Sequence, residues 1–417
     1  MKTWKKALLT SATLGAAALT LAACGSDKKD SSSASSSAKT TVKLWVDTDA
    51  KKSYTQTVKD FEKANKGVKV EIKELEAAKA QENVKKDPSK AADVFALPHD
   101  QLGQLVDAGV IQEIPAKYAD KIAADDSENA VSGAQYKGKS YAFPYGIETQ
   151  VLYYNKTKLT ADDVKTYESI TEKGKFGANL KDVDSYKFGS LFMSVGDKLY
   201  GDSGEDLNGT NWNNEAGVNV LKWVAAQKTN PGFVQAGDDL ISKFGEGKIT
   251  AFESGPWDKA KAAEAIGKDK LGIAVYPKMN IGGTEVQQKA FLGVRLYAVN
   301  QAAANGNTAQ IAAAYKLADY ISSAASQENQ FKDQNRNIIP ANKAIQNKDY
   351  VKNDALASAV VQMSAPDYSV IMPKIPEMVS FWPAAKAVIS DTYNGKIPAD
   401  QYQAKLDQLV KDISGKK

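Results

Sequence analysis

The sequence predicts an α/β protein with two lobes and a cleft between them. The chain has 417 residues, which at about 100–200 residues per domain is enough for two large globular units. Strand-like segments alternate with segments of helical periodicity along most of the chain. No linker divides the chain into two successive halves, because the alternation continues through 146–152. We therefore expect two lobes joined by more than one crossover.

The first third of the chain repeats a strand and a helix. TVKLWV at 41–46 alternates and is rich in β-formers, as half-buried strands are. The next segment places Tyr54, Val58 and Phe61 on one helical face, and Gly67 follows as a helix-ending residue. This order is typical of a mainly parallel sheet. The predicted elements are strand 41–46, helix 54–65, strand 68–72, strand 93–97 and a helix through Leu102 and Leu105 that ends near Gly109.

The rest of the chain continues the alternation. FLGVRLYAV at 291–299 is an apolar run interrupted only by Gly293 and Arg295. Pro383 is expected in the first turn of a helix over 384–393, which Gly395 ends. The other predicted elements are a turn-rich stretch 136–145, strand 151–154, helix 215–227, strand 249–253, a helix after Trp257, strand 271–276, helix 308–324 and a polar loop 333–342.

The N-terminus has the pattern of a secretory signal peptide. Lys2, Lys5 and Lys6 precede an apolar stretch at 7–19 that is too short to span a bilayer. The stretch ends in LAACG, which resembles a bacterial lipobox, so we expect removal of 1–23 and lipid modification of Cys24. Ser- and Lys-rich residues 24–40 are then a flexible tether at the outer face of the cell membrane. The alternative is a plain signal peptide with an incidental cysteine.

The composition excludes several kinds of site. After removal of 1–23, 51 basic residues face 50 acidic ones, which gives no reason to expect nucleic acid as a partner. The chain has one histidine, His99, and one cysteine, so the usual zinc sites are excluded. Nucleotide-binding and nucleophile motifs are absent from the sequence. We expect no metal, no cofactor and no catalytic residue, although a glycosidase needs only two carboxylates and stays an alternative.

Aromatic residues stand near carboxylates at several predicted strand ends and loops. A sugar offers apolar C–H faces and a rim of hydroxyls, so its site combines flat aromatic rings with hydrogen-bonding groups. Each residue taken alone is better explained as a core or surface residue than as a ligand contact. The aromatic candidates are Trp45, Tyr145, Tyr186, Trp257 and Trp382, and the carboxylate candidates are Asp49, Asp100, Glu148 and Asp184.

Five segments, in order, resemble the maltose/maltodextrin-binding proteins of bacterial sugar ABC importers. They are LWVDTDAKKSY at 44–54, DVFALPHDQLGQLVDAGVIQEI at 93–114, FPYGIETQVLYYNKTKL at 143–159, FGEGKITAFESGPW at 244–257 and VIMPKIPEMVSFWPAAKAVI at 370–389. The resemblance implies the two-lobed periplasmic binding protein fold (type II), with a ligand cleft, discontinuous domains and three crossovers. It places an N-terminal lobe at 40–147 and 296–343 and a C-terminal lobe at 151–291 and 350–417. The implied hinges are 146–150, 292–295 and 344–349.

The resemblance also implies a set of ligand contacts. Trp257 and Trp382 match the stacking tryptophans of the family, whereas Asp184 and Tyr186 match its acidic–tyrosine pair imperfectly. Gln101 and Lys386 stand where the family has arginines, and these departures favour longer or cyclic glucans. The implied contacts are Asp49, Lys51, Asp100, Gln101, Glu148, Asp184, Tyr186, Trp257, Trp382 and Lys386.

The function that the resemblance implies is capture and delivery of sugars. A monomeric extracellular lipoprotein would bind maltose, maltodextrins or cyclodextrins by hinge closure and pass them to the permease subunits of an ABC importer. It would contact the membrane only through its lipid anchor, and it would leave the ligand intact. A binder of another oligosaccharide, or an adhesin that binds a macromolecule, are the alternatives.

Overall fold

The structure, a computed structural model, describes residues 40–333 and 338–414. Two large β-sheets form the framework of these residues. The strands are β1 (Thr40–Val46), β2 (Val68–Glu74), β3 (Val94–Pro98), β4 (Gln135–Tyr136), β5 (Lys139–Ser140), β6 (Ala142–Glu148), β7 (Val151–Asn155), β8 (Phe176–Ala178), β9 (Phe233–Gln235), β10 (Ala251–Ser254), β11 (Leu271–Ala274), β12 (Lys278–Ile281), β13 (Thr284–Gln287), β14 (Ala290–Val299) and β15 (Ser369–Ile371).

Helices cover the faces of these sheets. They are α1 (Lys51–Ala64), α2 (Ala80–Lys86), α3 (Leu102–Asp107), α4 (Ala116–Asp125), α5 (Glu128–Gly133), α6 (Tyr167–Lys173), α7 (Ser185–Phe188), α8 (Leu191–Ser194), α9 (Glu215–Ala226), α10 (Leu240–Gly245), α11 (Lys259–Ile266), α12 (Thr308–Ile321), α13 (Ala324–Lys332), α14 (Lys343–Gln346), α15 (Asp349–Lys352), α16 (Ala355–Met363), α17 (Met378–Asn394) and α18 (Tyr402–Ile413). Within the described ranges, none of them is long and apolar enough to cross a bilayer.

The first sheet has the order β15–β14–β3–β1–β2, with β6 also paired to β14. β1 lies parallel to both β2 and β3, and β14 runs antiparallel to β3 and β6. Both faces of this sheet are covered. In β3, Val94 and Ala96 pack on the side of α1, and Phe95 and Leu97 pack on the opposite side. Burial on both faces explains why β3, β6 and β14 read as apolar runs, whereas β1 and β2 alternate.

The second sheet has the order β11–β7–β10–β8–β9. β8 is parallel to both β9 and β10, whereas β7 is antiparallel to β10 and β11. The carboxyl ends of β8, β9 and β10 therefore meet at one edge, which is where α/β sheets commonly bind ligands.

Three long-range passages connect the regions around the two sheets. The first passage joins β6 to β7, the second is β14 itself, and the third follows α13 and leads to α16, which packs on β7 and β11. After α16, the short strand β15 pairs with the start of β14, at Ala290–Leu292. Thr149 in the first passage is buried and donates a hydrogen bond from Oγ1 to the Phe291 carbonyl at 3.0 Å in the second. The predicted two-lobed fold with three crossovers is confirmed by these connections and by the structural likenesses given below.

One predicted turn region is a strand. The stretch 136–145 was expected to be turn-rich, but only its beginning forms the β4–β5 hairpin, and β6 starts at Ala142. Phe143, Tyr145 and Ile147 are buried, so packing stabilises an extended chain there. Pro144 is tolerated because β6 pairs at this position with β14 alone, and that pairing contains a bulge here.

Two helix boundaries also differ from the prediction. The helix predicted over 308–324 ends at Ile321, and a new one starts after Ser323, whose side chain caps it by accepting from the Ser326 amide. α17 begins at Met378, so Pro383 lies inside it and not in its first turn. Burial of Met378 and Phe381, worth about 2 kcal/mol each, compensates for the roughly 3 kcal/mol that an interior proline costs.

Candidate functional site

Three of the predicted aromatic residues meet at one place. The Tyr186 ring lies 6.5 Å from the Trp257 ring and 6.5 Å from the Trp382 ring, measured between centroids. Its other neighbour is Phe291 of β14, stacked at 6.1 Å. We call Tyr186, Trp257, Phe291 and Trp382 the aromatic cluster. Trp257 is 45% exposed, so the cluster presents a flat ring to solvent.

Trp257 is held in place by the turn that precedes it. A side chain at Gly255 would come within 2.1 Å of the indole, so the ring can lie over this backbone only because the residue is glycine. Tyr153 donates a hydrogen bond to the Gly255 carbonyl at 2.9 Å, and Ser254 donates to Asp258 Oδ2 at 2.6 Å. These contacts make the exposed indole a fixed platform.

Tyr186 is positioned by its own short helix. Asp184 precedes α7 and accepts a hydrogen bond from the Tyr186 amide at 3.0 Å, which caps the helix. Ser185 donates from Oγ to the Trp382 carbonyl at 3.0 Å and so ties α7 to α17. The aromatic cluster is therefore assembled from four separate segments of the chain.

Three carboxyl groups lie close to Tyr186. The pKa of Tyr186 is raised well above its ordinary value, first by burial and then by the nearby Glu148, Asp100 and Asp184 carboxyl groups. Asp100 follows β3, and its Oδ1 is buried without a hydrogen-bond partner among the described residues. Burial, with a smaller contribution from Glu148, raises the pKa of Asp100 to about 6. Asp100 can thus offer a hydrogen-bonding group to a ligand at the aromatic cluster.

Glu148 belongs to an ion-pair group that the sequence analysis missed. Arg295 of β14 contacts Glu148 Oε2 with Nη2 at 2.6 Å and Nε at 2.8 Å, and it contacts Asp47 Oδ2 with Nη1 at 3.0 Å. We call Asp47, Glu148 and Arg295 the ion-pair triad. Burial alone would lower the pKa of Arg295, but Glu148, the Tyr145 hydroxyl and Asp47 raise it on balance. Arg295 therefore stays charged.

A sequence signal for this triad does exist. Arg295 is one of two arginines among 54 basic residues, and it interrupts an apolar run. A lone arginine in a buried strand requires acidic partners, because unpaired buried charge is strongly unfavourable. Its partners are distant in sequence, at separations of 147 and 248 residues, so the sequence did not identify them.

Other predicted contact residues are engaged elsewhere in the structure. Gln101 donates to the Ala78 carbonyl at 2.6 Å, and Lys386 pairs with Asp182 at 2.6 Å. Asp49 is exposed at φ 60°, just before α1. Lys51 is exposed and donates its amide to Glu74 Oε1 at 3.0 Å. None of these contacts involves the aromatic cluster.

Two of the aromatic candidates lie outside the cluster. Tyr145 is buried and stacks on Tyr297 with centroids 4.5 Å apart, so it is part of the core. Trp45 is half-buried, with the Lys73 ammonium 5.8 Å from its ring centroid. Cys24, the predicted lipidation site, lies outside the described residues.

His99 joins β14 to the segment that follows β15. It is fully buried, accepts a hydrogen bond at Nδ1 from the Val294 amide at 3.0 Å, and donates from Nε2 to the Met372 carbonyl at 2.9 Å. Burial, with a further contribution from Lys374, lowers the pKa of His99 to about 3. The imidazole is therefore neutral and structural. The described residues contain no group of three or more His, Cys, Asp or Glu side chains arranged to hold a metal.

Residues 56–359 match the sequence profile of the bacterial extracellular solute-binding proteins. The chain belongs to this family. It is 30% identical to the galactooligosaccharide-binding protein of Bacillus subtilis, with 96% of this chain and 94% of that protein covered. It is 29% identical to the maltooligosaccharide ABC transporter solute-binding lipoprotein of Streptococcus pneumoniae, with 96% and 95% covered.

Solved structures of solute-binding proteins share the fold. The maltodextrin-binding protein MalE1 of L. casei BL23, without ligand, superposes with a TM-score of 0.85 at 38% identity, over 90% of this chain and 98% of that one. The maltose-binding protein MalE of Listeria monocytogenes, in complex with maltose, gives 0.76 at 27% identity, over 91% and 99%. These likenesses confirm the family and the fold that the sequence motifs predicted.

Proposed function

We propose that this solute-binding protein captures maltose and maltodextrins, cyclodextrins included, for an ABC importer. The observation that carries the proposal is the aromatic cluster, in which Tyr186 lies between the exposed Trp257 and Trp382. Indole rings stack on the apolar faces of glucose, and Asp100 and Asp184, which lie close to Tyr186, offer groups for its hydroxyls. The names of the relatives in S. pneumoniae and L. casei BL23 support the same ligand class.

Binding would proceed by closure of the two lobes on the sugar. The proposed lobes are 40–147 with 296–343 and 151–291 with 350–417, and the proposed hinges are the three passages between the sheets. A ligand that contacts both lobes stabilises the closed form, because its affinity for that form is higher. The closed monomer would then dock on the permease subunits of the importer.

The ligand would leave the protein unchanged. A glycosidase needs one carboxyl group as acid and another free to act as base or nucleophile. Glu148 is the acidic neighbour of Asp100 here, and it is already held by two nitrogens of Arg295. We therefore propose binding without catalysis. The check is incubation with maltoheptaose, in which release of reducing sugar would contradict the proposal.

We further propose that Cys24 anchors the protein to the outer face of the cell membrane through residues 24–40. The LAACG motif and the Ser/Lys-rich composition support this assignment. A Cys24→Ser variant should appear in the culture medium, whereas the unaltered protein should stay with the cells. Equal distribution of the two would contradict the anchor.

A second candidate ligand class follows from the B. subtilis relative, whose name states that it binds galactooligosaccharides. Titration calorimetry with maltose, maltotriose to maltoheptaose, β-cyclodextrin and galactotriose separates the two. The proposal expects the glucans to bind and galactotriose to bind at least tenfold more weakly, a difference of about 1.4 kcal/mol. Tighter binding of galactotriose would favour the second candidate.

A further inference from the structure

A cavity of about 180 Å³ lies beside Asp184, at the edge where β8, β9 and β10 end. None of the four residues of the aromatic cluster lines it. Its lining includes Asn179, Asp184, Lys187, Phe188, Gly237 and Glu253.

Glu253 is the least expected residue in this lining. It is 4% exposed, and its Oε1 is buried without a hydrogen-bond partner among the described residues, while Oε2 accepts from Gln288 Nε2 at 3.0 Å. Burial raises the pKa of Glu253 to about 8, against smaller opposing effects of Gln288, Lys187 and the Tyr276 hydroxyl. A neutral acid both donates and accepts hydrogen bonds. A buried polar atom without a hydrogen-bond partner is rare in folded proteins, so a ligand bound in the cavity can supply the partner that Glu253 Oε1 lacks.

The other lining residues offer mixed chemistry. Phe188 contributes an apolar surface, and Lys187 makes no ion pair with any described residue. Asn179 Oδ1 accepts from the Asp182 amide at 3.0 Å, and its Nδ2 lies on the side of Gly237. Donors, acceptors and one apolar wall suit a ring of hydroxyls. Carboxylates also line this space, but no group of three or more His, Cys, Asp or Glu side chains among the described residues is arranged to hold a metal ion.

The cavity and the aromatic cluster share two short segments of the chain. Asp184 lines the cavity and also caps the helix that carries Tyr186. Glu253 lies four residues before Trp257 on the same strand and turn. Residues of the cavity and residues of the cluster are therefore carried by the same two short segments of the chain.

We propose that this cavity is an accessory subsite for one hexopyranosyl unit of the bound oligosaccharide, beyond the units that stack on Trp257 and Trp382. The proposal rests on the function proposed above and specifies its ligand more closely. The hexopyranosyl unit in the cavity can be either the end of a longer linear glucan or a 1,6-linked branch, because both have the same chemistry.

Filling the cavity tests this subsite. A Cβ at Gly237 would meet only the Asn179 side chain, with Nδ2 at 3.3 Å and Cγ at 3.8 Å, and that side chain can shift, so Gly237→Leu should fold with its side chain in the cavity. Gly237→Ala is the matched control, because it adds a single carbon. Lys187→Met is a second variant that removes a donor without filling the space. Thermal unfolding of each variant verifies its fold.

Calorimetry with maltose, the linear series from maltotriose to maltoheptaose, and the branched trisaccharide panose gives the readout. We expect the affinity of the wild type to rise about tenfold either when the linear glucan is lengthened by one particular unit or when the 1,6-linked branch is present. Which of the two ligands shows the rise identifies whether the subsite takes the chain end or the branch. Gly237→Leu should abolish that gain, Lys187→Met should reduce it, and both should leave maltose binding within twofold.

The failures of the two proposals are distinguishable. A gain that persists in both Gly237→Leu and Lys187→Met, or a wild type with no gain at any step, overturns the subsite while glucan binding stands. A wild type that binds none of these sugars overturns the proposed function, and the subsite with it.

Discussion

Arg295 holds Glu148 with two nitrogens, Nε at 2.8 Å and Nη2 at 2.6 Å from the same carboxylate oxygen. Its remaining nitrogen, Nη1, lies 3.0 Å from Asp47, which follows β1. One cation on β14 therefore holds the ends of β1 and β6. Gly293 makes room for this arrangement, since a Cβ there would lie 2.9 Å from Glu148 Cγ.

Replacing Arg295 should destabilise the fold. Arg295→Met leaves Asp47 and Glu148 partly buried without a counter-charge, and we expect the free energy of unfolding to fall by about 2 kcal/mol. This is below the 3–5 kcal/mol found for fully buried pairs, because the three side chains keep 19–24% of their exposure. Urea unfolding at pH 7 measures it.

Arg295→Lys is the matched control for this prediction. It keeps the charge but loses the fork that reaches both acids, so an intermediate loss of stability is expected. If Arg295→Met unfolds at the same urea concentration as the wild type, the ion-pair triad does not stabilise the fold.

The stabilising effect of His99 should depend on pH. His99→Phe leaves the Val294 amide and the Met372 carbonyl without their partner, at a cost of about 2 kcal/mol near pH 7. The pKa of His99 is about 3 in the folded protein and 6.5 when unfolded. The unfolded chain therefore binds more protons between these values, and the stability of the wild type falls as the pH falls through this range.

Urea unfolding of both proteins at pH 7.5 and pH 4.5 checks this sign. The difference in stability between wild type and His99→Phe should be full at pH 7.5 and smaller at pH 4.5. Other titrating groups are common to both proteins and cancel in the difference. A difference that grows on acidification would mean that the folded protein binds the proton.

The parts of the site that the sequence predicted are those carried by local motifs. Trp257 follows a Gly-Pro turn, and Trp382 follows a buried Phe, so the short segments around them were informative. That both indoles meet Tyr186 depends on packing between α7, α17 and the turn after β10. No short-range pattern encodes that meeting, and only the family resemblance grouped the three residues.

The elements that were mispredicted were decided by tertiary packing. The β-strand containing Pro144 and the extra helical turn before Pro383 both break local preferences. In each case buried side chains outweigh the proline, as happens when tertiary contacts override propensity. Asp47 was overlooked in favour of Asp49 because nothing in the sequence links it to Arg295 across 248 positions.

Ligand binding should make the protein more compact. If a glucan closes the lobes about the three passages, small-angle scattering should show a smaller radius of gyration at saturating maltotriose than in its absence. The Trp257→Ala/Trp382→Ala double variant, at the same sugar concentration, should keep the larger value. Equal radii with and without bound sugar in the wild type would contradict hinge closure.

Titration calorimetry of maltotriose with Trp257→Ala and Trp382→Ala tests the account most directly. Loss of a buried aromatic anchor commonly costs about 2 kcal/mol or more, so each variant should bind roughly thirtyfold more weakly than the wild type, at tenfold per 1.4 kcal/mol. Tyr350→Ala removes another exposed aromatic side chain, on α15, and should leave the affinity unchanged. Affinities equal to that of the wild type in both tryptophan variants would contradict the proposed sugar site.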